Sequence, residues 1–248
     1  MTIVSAKGLT HAYRRFPGHR IVSLSGVDLE VSAGECWGLV GPNGSGKSTL
    51  LRILAGLSLP VSGELSVLGE VGGSRSLRGR IGYAPETIHW PPSLTVESVL
   101  GELAALSGVA GSQARVEEVA RRVGIESILS RRMGTLSLGQ ARRVVVGQAL
   151  LEDPPLLLLD EPFASLDSLV VHDVQQNLIE RQQEGTAVIL ATHRIEDLRE
   201  FASHIMLLKE GSVVSSGPAE DFFSSLEERG GLLEIFGVQA AKGMEENR

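Results

Sequence analysis

Cysteine is almost missing from these 248 residues: Cys36 is the only one. A single thiol excludes an internal disulfide and a multi-cysteine metal centre. Aromatic side chains are scarce as well, at 4%, so the core has to be assembled from Leu, Val, Ile and Ala. No apolar run approaches the ~18–20 residues that a membrane span requires. A typical one, residues 156–159, is four leucines running into Asp160 and Glu161. The N-terminus lacks the cationic-then-apolar order of a secretory signal. A basic excess is missing too. The 23 Lys and Arg against 30 Asp and Glu leave a net charge of −7, which argues against a nucleic-acid partner, because dedicated binders carry a basic footprint. There is no internal repeat and no low-complexity tract. The expected compartment is the cytoplasm.

What is present suits an ordinary globular chain: 42% hydrophobic and 21% charged residues. A chain of this length buries about 70–75% of its unfolded surface. Val27, Leu29 and Val31 alternate with polar residues, the pattern of a half-buried strand. Residues 37–40 form a short apolar run that stops at Gly41, with Cys36 and Trp37 at its entry as packing residues. A helix is expected over 47–55, stopped by Gly56. Strands follow at 65–68 and 81–83. From 96 to 129 the period becomes helical, broken at Gly108, Gly111 and Gly124, and a further helix over 138–151 ends before Pro154 and Pro155. Strand and helix then alternate at 156–160, 168–183, 187–191, 195–201 and 205–208, and residues 209–212 read as a hairpin turn. Alternation of this kind implies a mostly parallel α/β core. Antiparallel strands in residues 1–31 and a helical insert at about 85–150 decorate it, and the residues after Gly237 form a polar tail.

Residues 41–48 read Gly41-Pro42-Asn43-Gly44-Ser45-Gly46-Lys47-Ser48 and match G-x-x-x-x-G-K-[ST] at every fixed position. The run follows an apolar strand and opens a helix, which is the context the motif needs. Glycines let backbone N–H groups turn inward toward phosphate oxygens, and the helix N-terminus adds its positive dipole. Lys47 brings a full charge to the β/γ-phosphates, and Ser48 is suited to ligate Mg²⁺. A flexible glycine turn is the plain alternative, and the flanking elements argue against it. The leucine strand ending in Asp160 and Glu161 belongs with this loop, because ligands of open α/β sheets sit at the carboxyl ends of strands. Adjacent acids take separate duties: Asp160 toward Mg²⁺, Glu161 as the base for an attacking water. Read alone, Asp160 could be no more than a helix-capping acid.

Further residues in the same order resemble the ATP-binding cassette ATPases. Leu136-Ser137-Leu138-Gly139-Gln140 is similar to that family's LSGGQ signature, Ser165-Leu166-Asp167 to its D-loop, and Ala191-Thr192-His193 to its switch histidine, while Tyr13 stands where the family places an aromatic under the adenine. The resemblance runs from Tyr13 to His193. It implies a P-loop NTPase core with an N-terminal antiparallel β subdomain and an inserted α-helical subdomain. It also implies ATP and Mg²⁺, with residues 41–49, Thr49 included, around the phosphates. Two copies, or this chain and a second such ATPase, would sandwich two nucleotides. Ser137, Gly139 and Gln140 of one copy, with Asp167, would then face the nucleotide of the other, and His193 would contact the γ-phosphate. Two positions depart from the family pattern: Leu138 replaces the usual glycine, and Glu86 replaces the usual glutamine beside the metal. Glutamate can also bind Mg²⁺. The Tyr-x-Pro-Glu form of residues 83–86 resembles export-type systems.

On that resemblance the chain is the ATP-binding and hydrolysing subunit of an ABC transporter that powers a separate integral membrane permease, held peripherally on the inner face of the cell membrane. A soluble relative serving iron–sulfur cluster assembly is the alternative. DNA-repair or translation cassettes, which carry coiled-coil inserts or paired cassettes, fit poorly, and Glu161 and His193 argue against a module that no longer hydrolyses. The expected division is one ATPase domain over 1–237, with a core of about 1–85 and 151–237, a helical part of about 86–150, and a tail at 238–248. Arg-Arg pairs at 121–122, 131–132 and 142–143 read as solvated helix faces. Arg14, Arg15, His19 and Arg20 read as a basic loop. His11, His19, His89, His172 and His204 read as surface or packing residues.

Overall fold

A computed structural model describes residues 1–15, 18–77, 79–109 and 111–229; the expected tail lies outside them. The alternation at 27–31 belongs to a longer hairpin of β1 (Thr2–Arg15) and β2 (His19–Ser32), paired antiparallel from Thr2↔Ser32 to Arg15↔His19. Arg14 and Arg20 face each other across this hairpin. They are therefore strand residues and not the basic loop that their charge suggested.

Next come β3 (Cys36–Val40), buried along its whole length and starting at Cys36, and α1 (Lys47–Leu54), which ends at Ala55 before Gly56 at φ 72°. β4 (Ser62–Val67) and β5 (Glu70–Val71) complete an antiparallel sheet of order β2-β1-β4-β5. β6 (Ile81–Ala84) leads into the helices α2 (Val96–Leu106), α3 (Ser112–Arg122) and α4 (Leu138–Leu150). The remainder alternates: β7 (Leu156–Asp160), α5 (Ser168–Gln183), β8 (Ala187–Thr192), β9 (His204–Lys209), β10 (Ser212–Pro218) and α6 (Ala219–Arg229).

The second sheet runs β10-β9-β3-β8-β7-β6, parallel except for β10 at the edge. Its central strands read as unbroken apolar runs because both faces are covered. In β7, Leu156 and Leu158 enter one core, shared with α1 and the antiparallel sheet, while Leu157 and Leu159 enter the other, shared with the helices.

The expected helix at 195–201 is instead one 3₁₀ turn, Ile195–Leu198. The connection runs back from the carboxyl end of β8 to the amino end of the parallel β9 and crosses β3, which lies between them. Leu198 lies across β3 at Gly38, where an added Cβ would meet its side chain at 2.3 Å.

The arginine pairs are not uniformly solvated faces. Arg122 pairs with Glu118 at 2.8 Å, and Arg131 donates to Gln140 at 3.2 Å. Arg143 caps the Gly124 carbonyl, and Arg142 is half-buried and bonded to backbone. The pattern of charges alone carried no sign of these partners.

Candidate functional site

The loop between β3 and α1 opens the helix without a side-chain cap: Gly46 is the N-cap at φ 107°. No other residue fits there. The conformation disfavours L side chains, and a Cβ would lie 2.5 Å from the Ser23 carbonyl. The first-turn N–H groups therefore face a cleft of about 410 Å³, lined by Tyr13, Ile21, Val22, Ser23, residues 43–49, Glu86, Asp160 and Glu161. Lys47 is buried, and its Nζ donates to the carbonyls of Gly41 at 2.7 Å and Pro42 at 3.2 Å. Burial lowers the Lys47 pKa, opposed by Glu161, Asp160 and Glu86.

The carboxyl end of β7 delivers both acids to this cleft. Asp160 is 1% exposed, and its Oδ1 is buried without a hydrogen-bond partner. Burial pushes its carboxyl above the usual range and Glu86 and Glu161 push it further, while the Ser48 hydroxyl and Lys47 pull it down. Glu161 sits at φ 49°, an uncommon conformation for a side-chain-bearing residue. Its backbone N–H donates to the Ala191 carbonyl at 2.8 Å. His193, at the end of β8, brings Nδ1 to 3.0 Å from both Glu161 carboxylate oxygens. Backbone strain of this kind persists where surrounding bonds fix it, and it clusters at functional sites.

A divalent cation fits this arrangement. An orphaned buried carboxylate oxygen stands beside a serine hydroxyl, and three carboxylates, Glu86, Asp160 and Glu161, outnumber Lys47 in the cleft. Among the described residues no group of three His, Cys, Asp or Glu is arranged to cage a metal unaided. That suits Mg²⁺, which takes one or two carboxylates together with phosphate oxygens.

Tyr13 lies on β1, 40% exposed as a residue, with its hydroxyl 3.3 Å from Thr49 Oγ1. His11 packs edge-on against it, with centroids 4.6 Å apart. Ile21 and Val22, on the facing strand, are apolar yet half exposed and complete this end of the cleft. Sequence reasoning missed them, since residues 19–26 show no clean alternation. The adjacent β-branched pair Ile21-Val22 was the one strand signal the sequence offered there.

The remaining singled-out residues stand outside this cleft. Ser137 caps α4 through a capping box: its Oγ accepts from the Gln140 N–H at 3.2 Å, and Gln140 Oε1 accepts from the Ser137 N–H at 3.1 Å. Gly139 leaves no space for a Cβ, which would meet the Ser165 carbonyl at 2.7 Å, whereas Leu138 is 79% exposed. That difference explains why the glycine is kept at 139 and not at 138. Asp167 caps α5, accepting from the Val170 N–H at 3.0 Å. Next to the cleft a groove of about 440 Å³ runs between residues 86–92 and α4, and Glu86 lines both.

A family profile described as ABC transporter matches residues 24–164. The chain is 32% identical over 228 residues to Nod factor export ATP-binding protein I of Cupriavidus metallidurans, covering 90% of this chain and 75% of that one. It is 34% identical to the protein of the same name from Rhizobium sp. (strain N33), covering 89% and 73%. Among solved structures it is similar to the dimeric ABC transporter cassette MJ0796, with a TM-score of 0.81, 27% identity, and 88% and 99% of the two chains covered. The same cassette in a post-hydrolysis dimer with ADP and Pi superposes equally well, with a TM-score of 0.81 and 28% identity.

Proposed function

Since this chain belongs to the ABC transporter family as an ATP-binding cassette, we propose that it binds and hydrolyses ATP to drive export through a separate membrane permease. The observation that carries this reading is the cleft itself, where an uncapped helix N-terminus and Lys47 face Asp160 and a Glu161 held by His193. The direction of transport rests on the relatives, which are export proteins by name.

The roles follow from position. Tyr13 stacks on adenine, with Ile21 and Val22 at the same end of the cleft. Residues 41–49 wrap the phosphates, and Lys47 leaves its two loop carbonyls for the β/γ-phosphate oxygens. Ser48 and Asp160 would hold Mg²⁺, with Glu86 as a further acid of the same cleft; bound there, the metal would neutralise charge on the β- and γ-phosphate oxygens. Glu161 accepts the proton of a water as its oxygen attacks the γ-phosphorus and the bond to the β–γ bridging oxygen breaks. His193 Nδ1 keeps that carboxylate aimed, and the same histidine contacts the γ-phosphate. The second half of the site comes from another copy or a second cassette: Ser137, Gly139 and Gln140, with Asp167 nearby. On this reading the core is about 1–85 and 151–237, of which 230–237 lie outside the described residues, and the helical part of about 86–150 offers the groove beside Glu86 to the permease. The protein then sits at the cytoplasmic face of the membrane through that partner. No helix among the described residues is long and apolar enough to cross a membrane.

The test is a pull-down from detergent-solubilised native membranes with tagged Glu161→Gln protein and ATP. A polytopic membrane protein recovered in stoichiometric amount is the expected result. Recovery of soluble scaffold proteins alone would replace the transporter reading with the assembly-factor alternative.

A further inference from the structure

The β6–β7 ladder ends at Ala84↔Leu159, whereas β7 continues to pair with β8 through Asp160↔Ala191. Beyond that last pair the chain turns away at Pro85, which has no N–H to offer. The carbonyls of Pro85, Glu86 and Asp160 are thus left where the strand pairing has stopped. One side chain collects all three. Arg142 Nη1 donates to the Pro85 carbonyl at 2.8 Å and to the Asp160 carbonyl at 3.3 Å, and Nη2 donates to the Glu86 carbonyl.

The next residue, Arg143, turns the other way, to Gly124 at the end of α3. Arg142 therefore reaches from α4 into the sheet, beside the groove that shares Glu86 with the nucleotide cleft. It sits on the helix that Ser137 and Gln140 begin. Its guanidinium is partly desolvated, which lowers its pKa against the pull of Glu86, Asp160 and Glu161.

We propose that Arg142 is a positioning residue that holds Glu86 and Asp160 in register and ties both to the helix carrying residues 137–140. A planar fork with five donors on separate nitrogens can span three carbonyls on two chain segments, whereas an ammonium presents its three donors from a single atom. A shift of α4, or of the segment 86–92 that lines the groove, then reaches the acidic end of the cleft through one side chain. The phosphate cradle is built independently, from β3 and α1, and does not use this clamp. This inference rests on the nucleotide-site reading above.

The test compares the full-length wild type with Arg142→Gln and Arg142→Lys. Labelling with 5-fluorotryptophan gives one ¹⁹F resonance each for Trp37 and Trp90, the only two tryptophans. Trp90 lines the groove between Glu86 and Arg142. In Arg142→Gln the Trp90 resonance is expected to move or broaden while that of Trp37 stays in place, and this readout needs no nucleotide. ATP affinity in EDTA should stay within about twofold. The Mg²⁺ concentration for half-maximal hydrolysis should rise, or kcat fall, by roughly 10- to 100-fold, the usual cost of losing an outer-shell partner. Arg142→Lys should recover only part of this. An unmoved Trp90 resonance overturns the proposal, as does an unchanged magnesium requirement together with an unchanged kcat. So does a loss of ATP affinity in EDTA by the same factor, or equal displacement of both tryptophan resonances, since either marks a general structural role. Failure of the wild type itself to bind ATP would instead remove the nucleotide-site reading.

Discussion

Two helices in this molecule begin at residues read as phosphate contacts, and they begin in opposite ways. α1 starts at Gly46 with no side chain over its first N–H groups, so its donors are open to the cleft. α4 starts at Ser137 with a capping box that takes up the Gln140 N–H of its first turn and the Ser137 N–H before it. The first is a finished anion site: buried lysine, close-packed glycine, carboxylates opposite. The second has its Gln140 N–H taken by its own cap and is exposed, with Leu138 in solvent and the backbone of Gly139 against Ser165. The cap satisfies one of the orphan donors of a helix start and leaves the others open. On the proposed reading, the cradle binds nucleotide within one chain, while the signature segment becomes a contact only when a second molecule brings phosphate to it.

The substitution with the largest expected effect breaks the cradle. Lys47→Ala should weaken ATP binding by about 2–5 kcal/mol, roughly 30-fold to several thousandfold, because a buried charged donor is lost. Fluorescent-nucleotide titration reads this, and unaltered affinity would sink the account of α1. Glu161→Gln should bind ATP normally yet turn over about 10²- to 10⁴-fold more slowly, the share of a general base; a steady-state phosphate-release assay is the check. On the signature side, Gly139→Ala should cost about 1–3 kcal/mol of stability through the Ser165 contact, with the single-chain affinity for ATP unchanged. If ATP affinity falls with it in a monomer, the two helix ends are not separable as described.

Asp160→Asn sharpens the contrast through pH. The folded-state pKa of Asp160 is raised, so its charged form costs stability at neutral pH, and that cost disappears as pH falls into the carboxylate range. In metal-free buffer the variant should therefore melt higher than the wild type at pH 7, with the gap closing on acidification. A lower Tm at pH 7 would contradict this. The smallest effect is Ser137→Ala, about 1 kcal/mol from the lost cap, or roughly 2–4 °C in Tm. No change would mean that the cap is not holding α4.

Much of this was legible in the sequence because local chemistry decided it. Residues 41–48, the leucine strand with its two acids, and the boundaries of α5 follow from backbone rules and burial that need no distant partner. The extension of β2 toward Ile21 and Val22 was hidden, because bulges in the β1–β2 register scramble the alternation. The 3₁₀ turn at Ile195–Leu198 was hidden because connection length depends on strand order, which the sequence does not state. Arg142 was hidden for a related reason. Its three acceptors are backbone carbonyls 57 and 18 residues away and at Glu86, and carbonyls look the same at every position. Leu138 and Glu86 stood out as departures from the family pattern, and only Leu138 has a structural explanation, its exposure.

On the proposed reading, the open end of α1 and the capped end of α4 form one site only across two molecules. Molar mass measured by light scattering on Glu161→Gln, with and without Mg-ATP, tests it most directly. The expected mass is the 26.4 kDa of one chain without nucleotide and twice that with it. Adding Gly139→Asp should return the ATP-bound protein to the single-chain mass. An ATP-saturated Glu161→Gln protein that stays at one chain, or a Gly139→Asp variant that doubles all the same, would contradict it.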